Sequence, residues 1–404
     1  MFRTKMIITA AALLIAWAGL SASPLSGQET APPEAVAVRV WDSDRFVPDL
    51  KLEDFELTED GQPQSLQAMY LVRKNAIERR EGGPDLQPNV SRKFFFMFQM
   101  FDYSPKLAEA IRHFFDRVFQ PGDSLEVQTP MHVYRLTPQA LAQASKDVVA
   151  QDMIDKVKKD VTAGNSLYRR LLGELKRCIR ALEGTQSMAQ IGEEGGDETT
   201  GFPNELILSW YRDSLIKMES LRAVDEKRIL AFAQSLKKQD GQKFVYFVYQ
   251  REFRPEISSS LLQTALANTP DQPQVIAYVQ ELFELYSRNV SLDPDRVQKA
   301  FADAGINFNF LFMNRNAETY SGIVMREQSE DVYKALSRIA VNSGGTIDSS
   351  PNPASSIIKA LNGSESYYLL YYYPASRAGD DAFKKIEVKI KGKTYRVVSR
   401  QGRY

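Results

Sequence analysis

Few residues in this chain have types and spacings that could do chemistry. There are 2 histidines and 1 cysteine. His113 lies in a helix-periodic stretch and His132 in a short strand-like one, and neither belongs to a ligand or catalytic motif. HExxH, CxxC, GxGxxG, GxxxxGK[ST] and GxSxG are absent from the sequence. Cys178 shares one helical face with Leu171, Leu175 and Leu182, which predicts a small core residue rather than a nucleophile. Glu193, Glu194, Asp197 and Glu198 crowd a polar loop but lack the ordered spacing of a calcium loop.

One junction stands apart. In "FFFMFQMFDYSPKL", residues 94–107, a run that is apolar on both faces ends in Asp102, Ser104 and Lys106 just before a helix-periodic stretch. Two readings stay open. Asp102 and Lys106 pair while Ser104 caps the helix, with Pro105 in its first turn. Alternatively, Ser104, Lys106 and the helix N-terminus form an anion pocket for a partner's Asp or Glu.

The elements that must position this junction follow from the patterning. Residues 1–27 resemble a signal peptide: Arg3 and Lys5 precede a 15-residue apolar run, followed by small residues. That run is shorter than the roughly 20 residues of a membrane span, so no stable span is expected after its removal. Residues 35–72 read as a β segment, with Val36, Val38 and Val40 alternating and an Asp60-Gly61 turn. Residues 73–92 read as a charged, aperiodic linker. From 93 to 365, strands at 94–101, 243–250 and 306–313 alternate with helices, and strands 125–129 and 131–136 must be antiparallel neighbours. A helical insertion fills about 139–240, with helices at 139–160 and 166–183 and a long one at 205–238. A β segment at 366–404 closes the chain, and "KKIEVKIKGKTYRVV" in it reads as a hairpin turning at Gly392. The expected fold is α/β: a mostly parallel sheet with helices on both faces, one antiparallel edge strand, and a small β unit made by the two ends. The acidic first segment and the basic last one are expected to pack together.

These residues resemble the von Willebrand factor A (vWA) domain. An apolar strand ending in Asp102-x-Ser104, a helix, two edge strands and a helix-bearing insertion follow its order. The flanks "VAVRVWDSDRFVPDLKLEDFELTEDGQPQSLQ" and "YYLLYYYP…FKKIEVKIKGK…VVSRQGRY" are similar to a VWFA-related family described from acidobacterial envelope proteins, and the resemblance spans about 35–404. The resemblance implies a metal-ion-dependent adhesion site: D-x-S-x-S after the first strand, a Thr from a second loop and an Asp after a later strand, together caging Mg²⁺. This chain departs from it. Lys106 stands at the second Ser, Asn165 or Ser166 at the Thr, and Gln250 at the Asp. The candidate ligand-binding set is therefore Asp102, Ser104, Lys106, Asn165, Ser166 and Gln250. No cofactor is expected; were Mg²⁺ to bind, Asp102 and Ser104 would hold it.

The functional expectation is a secreted or periplasmic, non-catalytic protein-interaction module with a metal-free site at the top of the sheet. Its partner would be a protein, engaged through an acidic side chain. Two alternatives are an envelope assembly component that docks through its long helices and a metal-dependent adhesion protein. With 51 basic and 51 acidic residues the chain has no net field to attract nucleic acid. The lone cysteine excludes an internal disulfide, which in an exported chain points to a bacterial envelope.

Overall fold

The computed structural model describes residues 33–137, 144–184, 203–221, 224–287, 292–374 and 383–403. The signal-peptide stretch and the loop carboxylates Glu193, Glu194, Asp197 and Glu198 lie outside them.

The described residues up to 82 supply six strands: β1 (Glu34–Asp42), β2 (Arg45–Phe46), β3 (Phe55–Glu59), β4 (Gln62–Gln64), β5 (Leu66–Arg73) and β6 (Ala76–Gly82). Asp60 and Gly61, both at positive φ (49° and 77°), form the tight turn between β3 and β4. The last part supplies β15 (Ser366–Tyr372), β16 (Lys384–Ile390), β17 (Arg396–Ser399) and β18 (Gly402–Arg403). β15 lies between β1 and β5, antiparallel to both, and β17 flanks β1 on its other side. A second layer runs β18-β16-β3-β4. Val36, Val38, Val40, Tyr368, Leu370, Ile386 and Val388 fill the space between the layers. The charges of the two ends meet at the Arg403–Glu59 pair (Nη2–Oε1 2.6 Å), both side chains buried.

Two expectations fail in this unit. Residues 73–92 are not merely a linker, because β6 pairs with β5 along that stretch. As an edge strand exposed along most of its length, β6 carries no apolar alternation to betray it. The predicted hairpin around Gly392 does not form. β16 joins β3 and β17 joins β1, so the chain there crosses from one layer to the other.

Between the two ends lies an α/β unit: β7 (Arg92–Gln99), β8 (Ser124–Gln128), β9 (Val133–Leu136), β10 (Gln242–Gln250), β11 (Phe253–Ile257), β12 (Ile306–Met313), β13 (Ile323–Glu327) and β14 (Ile347–Ser350). Six of these form one sheet in the order β14-β12-β10-β7-β8-β9, parallel except for β9. The chain enters at β7, runs outward to β9, then jumps back over β7 to β10 and runs the other way. The order therefore reverses between β7 and β10, where sheets of this kind open a crevice at the C-terminal ends of the strands.

The double-sided runs explain the layers. Phe94, Phe96, Phe98, Tyr246 and Val248 face α1 (Lys106–His113), the first half of α2 (Lys146–Leu182) and α9 (Pro353–Asn362). Phe95, Val245, Phe247, Phe308, Phe310 and Phe312 face α4 (Glu226–Lys237), α7 (Pro294–Asp303) and α8 (Glu330–Asn342). Each fully buried phenyl ring contributes about 1.5–3 kcal/mol.

A third layer sits on the crest, the C-terminal edge of the sheet. The second half of α2, α3 (Asn204–Glu219), α5 (Ser259–Ala267) and α6 (Pro273–Tyr286) join with Ile257 of β11 and Ile323 of β13 in one apolar cluster that includes Phe101. Sequence patterning divided this region differently. The helices expected at 139–160 and 166–183 are one 37-residue helix, because Gly164 and Asn165 stay helical where α2 passes Pro130 (3.2 Å from a Cβ built on Gly164). The helix expected at 205–238 is two. Asp225 accepts from the Lys227 and Arg228 backbone amides and starts α4 afresh. Among the described residues no helix is long and apolar enough to cross a membrane.

Candidate functional site at the crest of the sheet

At the crevice between β7 and β10 the chain leaves the sheet with its backbone already satisfied. The Gln250 side chain, buried at the end of β10, accepts through Oε1 from the Phe101 amide (2.8 Å) and the Asp102 amide (2.9 Å). Gln250 thus links the two strands at the reversal point, where the family resemblance places an aspartate.

Asp102 is held by three groups from distant elements. Asn165 Nδ2 of α2 donates to Oδ1 (3.2 Å), Arg169 Nη2 lies 3.8 Å from the same oxygen, and Arg315 Nε meets Oδ2 at 2.8 Å. Arg315 follows β12 and its side chain is only 7% exposed. Its guanidinium lies over the rings of Phe101 (5.5 Å) and Tyr168 (5.2 Å), and Nη2 reaches Glu318 Oε1 at 3.3 Å. Burial raises the Tyr168 pKa, and the adjacent guanidinium partly opposes that shift.

Several predicted roles change. The cation beside Asp102 is Arg315, not Lys106, which is exposed at the first residue of α1. Ser104 is not the side-chain cap of α1: Pro105 occupies the cap position without a side-chain hydrogen bond, and Ser104 contributes its carbonyl to the Leu107 amide (3.0 Å). Ser166 is exposed, and its hydroxyl donates to the Ala163 carbonyl of its own helix (2.5 Å). Of the candidate set, the structure joins Asp102, Asn165 and Gln250, and leaves the side chains of Ser104, Lys106 and Ser166 outside.

The donor set does not suit Mg²⁺. An octahedral cage needs several oxygens free to coordinate. Here one carboxylate already faces a guanidinium, the Gln250 oxygen accepts two amides, and Asn165 turns its nitrogen toward Asp102. A divalent ion at Asp102 would stand against a fixed positive charge. Among the described residues no group of three or more His, Cys, Asp or Glu could hold a metal.

A second polar cluster lies at the β8–β9 end of the same sheet. Asp160 of α2, 1% exposed, accepts from Thr129 Oγ1 (2.6 Å) and the Tyr134 hydroxyl (2.8 Å), with His132 Nδ1 at 3.0 Å. Burial opposes its charge, but these hydrogen bonds outweigh that and hold the carboxyl below its ordinary range. The Tyr134 phenol is pushed up to about 12 by burial and by Asp160. His132, which belongs to no sequence motif, is one of the groups pinning the hairpin to α2. Cys178 is buried in the crest layer, and desolvation lifts its thiol to about 11, far from a nucleophile's range.

Arg315 was missed by sequence reasoning. It is a lone arginine in a polar loop, and the only hint was its place just after a buried strand, at the edge where the loops of a parallel sheet converge. Comparisons with protein families, with curated proteins and with solved structures find no match.

Proposed function

We propose that this protein is an exported, non-catalytic binding module of vWA-like build. In it the Arg315–Asp102 ion pair has replaced the adhesion metal, and the outer face of the crest helices contacts a protein partner. The observation that carries this reading is Arg315 lying against Asp102 beneath the crest layer. The strand order, with its single antiparallel edge strand, supports the vWA-like part, and the leader-like residues 1–27 support export. A partner carboxylate entering the crevice would meet a guanidinium already engaged by Asp102 and Glu318. The helical alternative therefore gains over recognition at the top of the sheet. Ile276 and Phe283 lie two turns apart on one face of α6 and are 44% and 55% exposed. Apolar side chains exposed together in this way mark contact surfaces.

Affinity capture from envelope extract tests the reading. The retained band should persist in chelator, survive Arg315→Met, and be lost with the double substitution Ile276→Ser and Phe283→Ser. A band lost in chelator or with Arg315→Met, yet kept by the α6 variant, would return the site to the crevice.

A further inference from the structure

The end of the molecule opposite the crest holds a cavity of about 380 Å³ between the β unit and the N-terminal edge of the parallel sheet. It is floored by the starts of β10 and β12 and walled by β1 and by the C-terminal ends of α7 and α8. Its volume falls within the range of about 300–1,000 Å³ typical of small-molecule sites.

Its charges are unbalanced. Two carboxylates line it and both are engaged: Glu34 with Arg400, and Asp303 with Lys237 (3.3 Å). Two further cations line it, Arg39 at 6% and Lys243 at 7% exposure, and among the described residues neither forms an ion pair with a carboxylate. Arg39 Nε is buried without a hydrogen-bond partner, and so is Arg400 Nε. Burial depresses the pKa of both Arg39 and Lys243; the proximity of Lys93 adds to the effect on Lys243, and the field of Asp240 partly opposes it. Buried charges in folded proteins are normally paired with an opposite charge; among the described residues Arg39 has the Phe244 ring at 5.8 Å in place of one, and Lys243 has no carboxylate in contact.

Helix capping accounts for part of this. Lys243 Nζ donates to the Ala304 carbonyl at the end of α7 (2.8 Å), and Arg39 Nη1 donates to the Gly344 carbonyl beyond α8 (3.1 Å). Capping does not require Arg39, since Asn307 Nδ2 already satisfies the Gly344 carbonyl at 2.6 Å. Nor does it use the Arg39 Nε proton or the remaining two protons of the Lys243 ammonium.

We propose that this cavity binds a small oxyanion, a phosphate or carboxylate group on a polar body, between Arg39 and Lys243. The amides and hydroxyl of Gln298, Asn307 and Ser343 line the rest of the space. Bound there, the anion would bridge the β unit and the α/β unit and so stabilise both together.

The test is thermal unfolding and calorimetric titration of the full chain with inorganic phosphate, with succinate, and with chloride at matched ionic strength. Phosphate or succinate should raise Tm by several degrees in a saturable way that chloride does not reproduce, and whichever acts identifies the group. Arg39→Met should abolish the response without lowering the Tm of the unliganded protein, because it removes an unpaired charge and leaves Gly344 capped by Asn307. Lys243→Met should weaken binding about tenfold or more; it also serves as the second test if Arg39→Met does not fold. The proposal is overturned if neither anion exceeds the chloride control, or if the anion response survives both substitutions.

Discussion

The two edges of the parallel sheet solve opposite problems. At the crest, where an α/β sheet usually receives its ligand, the molecule supplies its own partners: Gln250 for the backbone amides, and Arg315 and Asn165 for Asp102. At the base, where the sheet usually has only a structural role, Arg39 and Lys243 face a cavity with no carboxylate paired to either of them among the described residues. The contrast teaches that a position in a fold does not fix its use. Internal charge balance separates a closed site from an open one.

The largest effect should come from making the second buried arginine of the base resemble the first. Arg92 and Asp123 are both fully buried and joined by two hydrogen bonds (3.1 and 2.5 Å). Asp123→Ala should cost about 3–5 kcal/mol in denaturant unfolding, because it strands a buried guanidinium. A much smaller loss would mean that an unpaired arginine is tolerated there, and the case built on Arg39 would weaken.

A smaller effect is expected at the β8–β9 edge. Asp160→Asn should cost about 1.5–3 kcal/mol near neutral pH by weakening charge-assisted hydrogen bonds. The Asp160 carboxyl is held below its ordinary range in the folded state. Its contribution is thus fully present above the unfolded pKa of about 4 and is lost as pH falls through the lower folded value. Tm measured from neutral pH down into the acid range should show the wild-type and Asp160→Asn curves converging below about pH 4. Curves that stay parallel would remove the carboxylate from the account.

Smaller still is the crest backbone. Gln250→Met keeps the volume but removes the acceptor for the Phe101 and Asp102 amides. It should cost about 1–2 kcal/mol in the same unfolding assay. No loss would mean that water reaches the crevice, which would then be more open than its packing implies.

Much of this was legible in the sequence for a simple reason. β7, β10 and β12 are apolar on both faces, and only a central strand covered on both sides needs that. Asp102 and Gln250 could be picked out because they sit where such runs end. Arg315 could not, since its partners Phe101, Asp102 and Tyr168 are far away in the chain and one arginine makes no pattern. Arg39 was misleading in another way. Alternating with Val36, Val38 and Val40, it reads as the wet face of a half-buried strand, yet that face is covered by the α/β unit. β11 and β13 went unnoticed because they pair only with each other, through short segments that alternation does not mark.

At Asp102 we propose that a guanidinium stands where a divalent ion would otherwise bind. A Mg²⁺ titration of the wild-type protein, followed by its Tm with a chelator-treated sample as reference, tests this most directly. One flat line through both is expected. A saturable rise with Mg²⁺ that chelator reverses would contradict it.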